Sequence, residues 1–216
     1  MAPCKVSGSY QPAESDYQPF AANIAAEMGA EVIQIEPPKI RDAVWRQLEF
    51  AMDGTSAGWV QTCRNSLHAT INLAFPKVQK MFLDLISKVD IWMESPIPGT
   101  YPAWGLDDAT AMMANRELVI THVSGYGQDG HPDYLGRASY DFIGQGFGGL
   151  MNLTGFPNPE PPTRAAPWTG DFITDLSCLW SSFGGYIHAH KTSKGQVIEL
   201  AQFEAIHYLL SGTMVA

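Results

Sequence analysis

Short β-branched runs alternate along this chain with segments of helical periodicity, and that alternation leaves few folds open. Phe20, Ala21, Ile24, Ala25 and Met28 recur at helical spacing, with Pro19 at the start and Gly29 just past the end. The EVIQIE run at 31–36 follows as a strand, and Pro37 and Pro38 stop it. Residues 39–75 read as irregular apart from a strand suggested at 70–73. A helix over 78–87 presents Met81, Phe82, Leu85 and Ile86 on one face. The DIWME run at 90–94 is the next strand, and SPIPG at 95–99 cannot continue its ladder. A helix over 107–114 and a strand over 118–124 repeat the unit, followed by helices over 138–150 and 172–191 and a strand over 196–201. Such alternation calls for right-handed crossovers. The expected fold is α/β: a Rossmann-like parallel sheet with helices on both faces.

Residues 1–18 are polar and turn-rich and suggest no element, which places the domain at 19–216. A last helix opens at Phe203 and meets no stop signal before Ala216, so the architecture reads as truncated at its C-terminal end.

Composition removes several classes of function. The 216 residues are 45% hydrophobic and 16% charged, as in a globular protein. A net charge of −9, with 13 Lys+Arg and no basic run, argues against nucleic acid as the main partner. Cys4, Cys63 and Cys178 are too few and too scattered for a disulfide framework or a zinc site, so no metal is expected. The first residues lack the apolar core of a signal peptide, and no apolar run is long enough to span a bilayer. The expectation is a soluble protein of the reduced cytoplasm, with no membrane partner.

Gly125-x-Gly127-x-x-Gly130 has the dinucleotide spacing directly after a strand, but His131-Pro132-Asp133 continues it as a turn rather than a helix. Gly144-x-Gly146-x-x-Gly149 lies within a helical run, where close packing accounts for it. Neither match supports a nicotinamide or flavin, and no permanently bound cofactor is expected. Of the six histidines only His188 and His190 are close, and that spacing puts them on different faces of a helix. His122, inside a strand, reads as a satisfied core histidine.

Carboxylates carry the remaining chemistry. Asp171 stands where a Pro-rich loop gives way to a long apolar helix, and the positive end of the helix dipole favours its charged form. On that stretch alone a helix cap is the stronger reading and a nucleophile the alternative. Asp175 shares its helix face and reads as a solvated or hydrogen-bonded residue.

Four segments taken together resemble the class III CoA-transferases, the family of formyl-CoA and carnitine CoA-transferases. They are 19–36; the DIWMESPIPG run at 90–99 with Gly105 and Leu106; 118–130 followed by Tyr140, Asp141 and Gln145; and Gly170-Asp171 through the TSKGQV run at 192–197 to the terminus. The resemblance implies the large domain of a CoA-transferase in which Asp171 attacks an acyl-CoA thioester. A mixed anhydride forms, CoA thiolate leaves, and an acceptor carboxylic acid exchanges in. It further implies Tyr140, Asp141 and Gly170 as active-site neighbours, Gln145 as structural, and coenzyme A contacts at Arg64, Ser95, Pro96 and Arg137. Backbone N–H groups of the Gly-rich loops would stabilise the oxyanion. The partners implied are acyl-CoA, a small carboxylic acid, and either a second copy in an interlocked homodimer or a second subunit.

Racemases of the same superfamily are the rival. They use a histidine at the position of Tyr140, so the tyrosine favours transfer. A non-catalytic CoA-binding subunit is the second rival, because family members are about twice as long. The family's opening strand and small-Gly-Pro turn are replaced here by ESDYQP at 14–19, and an expected arginine by Ala103.

Overall fold

The computed structural model describes residues 5–8, 18–38 and 54–210. The strands are β1 (Lys5–Gly8), β2 (Glu31–Glu36), β3 (Leu67–Thr70), β4 (Ile91–Glu94), β5 (Val119–Ser124) and β6 (Gln196–Ala201). The helices are α1 (Gln18–Glu27), α2 (Ala57–Thr62), α3 (Pro76–Ile86), α4 (Thr100–Ala103), α5 (Asp108–Ala114), α6 (Asp141–Phe147), α7 (Leu150–Thr154), α8 (Thr169–Thr192) and α9 (Gln202–Leu209). The described strands form one sheet in the order β3-β2-β1-β4-β5-β6, parallel throughout.

The expected α/β architecture is present, with β1 and the short helices α2 and α4 added where no element was expected. β1 lies within 1–18 and pairs with both β2 and β4 at the centre of the sheet. Its four residues carry little local signal, and its strand character comes from the ladders on either side. The strand expected at 70–73 lies instead at Leu67–Thr70, in register with Ile33–Glu36 of β2. The helix expected over 138–150 is broken into α6 and α7 by Gly149 at φ 94, a left-handed conformation that suits glycine. Residues 211–216, where the last helix was expected to continue, lie outside the described residues, as does the 39–53 part of the irregular region.

Both faces of the sheet are covered. Against one, α1 and α8 pack Ala21, Ala22, Ala25, Cys178 and Leu179 onto Val32, Ile91, Met93, Val119 and Val123. Small residues on α1 let the two helices approach closely. Against the other face, Phe82 and Ile86 of α3 and Ala111 of α5 meet Ile35, Trp92, Leu118 and Ile120. Trp92 is fully buried, edge-on to Phe82 and Tyr101 at ring-centroid distances of 5.3 and 4.8 Å. Alternate residues of β4 and β5 thus serve opposite cores, which explains their near-continuous apolar runs.

The sequence of connections reverses between β1 and β4. Ligands of open parallel sheets bind beyond the strands' carboxyl ends at such a reversal. The loops following β4, β5 and β6 and the N-termini of α6, α8 and α9 all lie at that edge.

Candidate active site

Asp171 is the third residue of α8 and is only 7% exposed. It is not the helix cap. Trp168 occupies the N-cap position with no side-chain cap bond. The capping carboxylate comes from α6: Asp141 Oδ1 accepts the backbone N–H of Gly170 at 2.8 Å and of Asp171 at 3.3 Å. Gly170 is required by this approach, since a Cβ there would stand 2.9 Å from the Asp141 carbonyl oxygen and 3.1 Å from its Oδ1. Cross-capping releases the Asp171 side chain from the local role that sequence alone favoured.

Asp141 is itself held. Gln145, one turn on and fully buried, donates from Nε2 to Asp141 Oδ2 at 2.8 Å and to the Ala165 carbonyl at 3.0 Å. Its Oε1 accepts the Ala165 N–H at 2.8 Å. Gln145 therefore fixes the loop that enters α8 as well as the carboxylate that caps it.

The Asp171 carboxylate is oriented from a third direction. Gln202, the first residue of α9, donates from Nε2 to Asp171 Oδ1 at 2.7 Å, and its Oε1 accepts the Ser139 hydroxyl at 2.6 Å. Glycines make room for this bridge. A Cβ on Gly144 would lie 2.4 Å from Gln202 Cδ and Oε1, and one on Gly125 would lie 2.4 Å from Ser139 Cβ. The second glycine motif is thus a packing feature, as its helical setting suggested. Sequence reasoning missed Gln202 and Ser139. The one local signal was a polar glutamine directly after the QVIELA strand, at a strand-to-helix junction on the functional edge.

Tyr140 is the N-cap residue of α6, 39% exposed, and so flanks the same cluster. Asp175 is buried at 1% exposure, which corrects the solvated alternative for it. The turn at 125–130 is not an open donor nest. Ser124 Oγ accepts the Gly127 N–H at 2.9 Å, while Glu199 Oε1 accepts the N–H of Gln128 and, at 3.3 Å, of Asp129. Those amides are spent on the turn itself, which removes both the dinucleotide reading and an oxyanion role for them.

The proposed coenzyme A contacts divide into two groups. Ser95 directly follows β4 and is buried, and Pro96 lines a 290 Å³ cavity at the same edge. Arg137 lies with its guanidinium 5.0 Å from the Tyr134 ring centroid. Its neighbour Gly136 comes close to Ile97 in the loop after β4, a contact of 3.8 Å for a Cβ built on it. Arg64 stands apart: it pairs with Glu27 at the end of α1 and donates to the Gln61 carbonyl at 2.8 Å.

The cavity is lined in part by an ion cluster, with Glu94 buried and Asp108 half-exposed. His122 places Nδ1 against Glu94 Oε1 and Nε2 against Asp108 Oδ1, the latter at 3.0 Å. Burial of the ring works against its charge, but the bonds to Asp108 and Glu94 outweigh that and lift His122 to about 10. Burial pushes the Glu94 carboxyl up, with His122 offsetting part of the shift. His122 is thus a satisfied histidine, as its strand position suggested, and it also borders a cavity. Among the described residues no group of three or more His, Cys, Asp or Glu side chains is arranged to hold a metal ion, and no helix is long and apolar enough to cross a membrane.

The model of CoA-transferase family III matches residues 17–216. The chain is 36% identical over 192 residues to the bile acid CoA-transferase BaiK of Clostridium scindens, covering 89% of this chain and 41% of that protein. It is 34% identical over 193 residues to the succinyl-CoA–L-malate CoA-transferase alpha subunit of Chloroflexus aurantiacus, covering 89% and 45%. Among solved structures, a CAIB/BAIF family protein from Brucella suis superposes with a TM-score of 0.86 at 25% identity, covering 98% of this chain and 55% of that one. The chain therefore spans less than half the length of these two curated relatives.

Proposed function

Since the chain belongs to CoA-transferase family III, we propose that it carries the large domain of an enzyme that moves coenzyme A from an acyl-CoA to a carboxylic acid, with Asp171 as nucleophile. The observation that carries this reading is the setting of Asp171. It is a buried carboxylate at the carboxyl edge of the sheet, oriented by Gln202 and freed from capping by Asp141.

In the proposed reaction an Asp171 oxygen attacks the thioester carbonyl carbon. The tetrahedral oxyanion collapses, the carbon–sulfur bond breaks, and the electron pair leaves with CoA as thiolate. The product is a mixed anhydride between Asp171 and the acyl group. The acceptor carboxylate attacks the Asp171 carbonyl carbon of that anhydride and expels the donor's acid as its carboxylate. The thiolate then attacks the acceptor's acyl carbon, forming the new thioester and releasing the Asp171 carboxylate. Covalent catalysis of this kind divides one difficult transfer into easier steps. Gln202 would hold the nucleophilic oxygen in line, and orientation of that sort lowers the barrier without stronger ground-state binding. Ser95, Pro96 and Arg137 would contact CoA. Arg64, engaged by Glu27, would have to leave its partner to do so. Tyr140 in place of a histidine supports transfer over racemisation, because proton abstraction beside a carbonyl calls for an imidazole there.

A second copy or a second subunit would complete the enzyme, in keeping with a relative named as an alpha subunit. Cys178 is buried in the core and free, in keeping with the cytoplasm. The test is Asp171→Asn. Transfer from acyl-CoA to an acid acceptor should be abolished with CoA affinity retained, and undiminished turnover would sink the assignment. Loss of α-deuterium from a 2-methylacyl-CoA without any acceptor would favour the racemase instead.

A further inference from the structure

Glu94, His122 and Glu199 stand side by side at the carboxyl ends of β4, β5 and β6. Neighbours in a parallel ladder project to the same face. Here that is the face of Trp92 and Ile120, opposite α8. The cavity at this edge is lined by Glu94, Asp107, Asp108, Asp129 and Glu199, with His122 the one cationic group among its lining residues.

These carboxylates are not idle. Glu199 holds the turn after β5 through Gln128 and Asp129, and Asp107 caps α5 through the Thr110 N–H at 2.9 Å. Glu94 and Asp108 take the two ring nitrogens of His122. A neutral imidazole has one N–H, so two carboxylates on one ring are both satisfied only by an imidazolium. With both nitrogens engaged, His122 has no site left for exchanging a proton with a substrate.

We infer that His122 is a positioning residue for coenzyme A binding: it ties the last residue of β4 to the first residue of α5 and so fixes the course of the 95–107 segment between them. The inference rests on the reading that Ser95 and Pro96 contact CoA. Ser95 follows Glu94 directly, and Pro96 lines the cavity that His122 borders. The segment turns at Gly99 and Gly105, both in left-handed conformations with φ 90 and φ 70, and between them only the single turn of α4 is regular, so its two ends depend on what anchors them. Ile97 within it lies against Gly136, next to Arg137. Slackening the clamp would therefore displace the contacts on both sides of the proposed CoA site. His122 is the part that a neutral residue cannot replace, because the segment's two anchors are both acidic.

The experiment compares the wild-type chain with His122→Gln and with the milder Asp108→Asn, which removes only the more exposed partner. Two readouts are needed. Hydrogen exchange in the ligand-free protein should rise at least about tenfold across 95–107 in His122→Gln and less in Asp108→Asn, with α8 unchanged. CoA titrated calorimetrically should bind about tenfold more weakly to His122→Gln, which corresponds to about 1.4 kcal/mol, with Asp108→Asn between it and wild type. In a transfer assay the loss should fall on KM for acyl-CoA rather than on kcat, a split that general unfolding does not produce. Unchanged exchange across 95–107 would overturn the clamp whatever CoA does. Raised exchange with CoA affinity equal to wild type would overturn the positioning role while leaving the CoA reading intact. A wild-type chain that binds no CoA would bring down that reading, and this inference with it.

Discussion

Replacing Asp141 by asparagine, nearly the same shape, should destabilise the chain almost as much as truncating the side chain. Asp141 is 4% exposed and accepts three hydrogen bonds: two from the backbone at the start of α8 and one from Gln145 Nε2. An asparagine that keeps its oxygen on the Gly170 and Asp171 N–H groups must turn its amide NH2 toward Gln145 Nε2, so that donor faces donor. Gln145 cannot flip to relieve this, because its two ends are matched to the N–H and carbonyl of Ala165. A buried unsatisfied donor costs about 1–3 kcal/mol. Losing the charge from the two backbone bonds roughly halves their strength. Together these come to about 3 kcal/mol, a large part of the roughly 5–15 kcal/mol that holds a typical domain folded.

For a domain of this size a loss of that order lowers the melting temperature by roughly 6–12 °C. Thermal unfolding followed by circular dichroism on Asp141→Asn, Gln145→Ala and the double variant reads it directly. The double variant should be less unstable than the sum of the singles by about 1 kcal/mol or more, because removing Gln145 removes the opposed donor. A single Asp141→Asn variant melting within about 2 °C of wild type, or strict additivity in the cycle, would refute the reasoning.

Two further outcomes follow from the same geometry. Gly144→Ala places a methyl group 2.4 Å from the Gln202 amide, which must move off Asp171; urea denaturation should show a loss of about 1–3 kcal/mol, and equal midpoints would contradict the packing. His122 keeps its proton in the folded chain up to about pH 10, whereas an unfolded chain releases it near 6.5. A folded pKa above the unfolded one means that this stabilisation is complete below pH 6.5 and is lost as pH rises toward 10, at about 1.4 kcal/mol per pH unit within that window. Melting temperatures between pH 7 and 8.5 should therefore fall more steeply for wild type than for His122→Gln, and parallel slopes would argue against a charged His122.

Much of the fold was legible because α/β crossovers write their periodicities locally. The EVIQIE and LVITHVS runs carry strand signals, and Pro19 and Gly29 bracket α1. β1 was not legible, because KVSG is too short and polar to be distinguished from a loop. Its identity depends on β2 and β4, which lie far along the chain. The candidate site divides in the same way. Asp141 and Gln145 entered through the resemblance, and their spacing of four residues is that of neighbours on one helix face. The Asp171–Gln202 and Ser139–Gln202 bonds join residues 31 and 63 positions apart, and no local pattern announces them. Whether Asp171 caps α8 could be decided only with α6 in place, since the capping carboxylate lies 30 residues upstream of Asp171. The turn chemistry of His131-Pro132-Asp133 already spoke against a dinucleotide loop, but the engagement of the loop's amides was not legible. The GxGxxG spacing at 125–130 is that of a phosphate loop, yet the amides of Gly127, Gln128 and Asp129 turn onto Ser124 and Glu199.

The most direct test of the central claim is chemical. The purified chain is incubated with a panel of acyl-CoA thioesters, quenched with hydroxylamine or borohydride, and mapped by mass spectrometry. The account predicts a covalent modification at Asp171 that depends on the acyl donor and disappears in Asp171→Asn. Modification at another carboxylate, or turnover with Asp171 unmodified and replaceable, would contradict it.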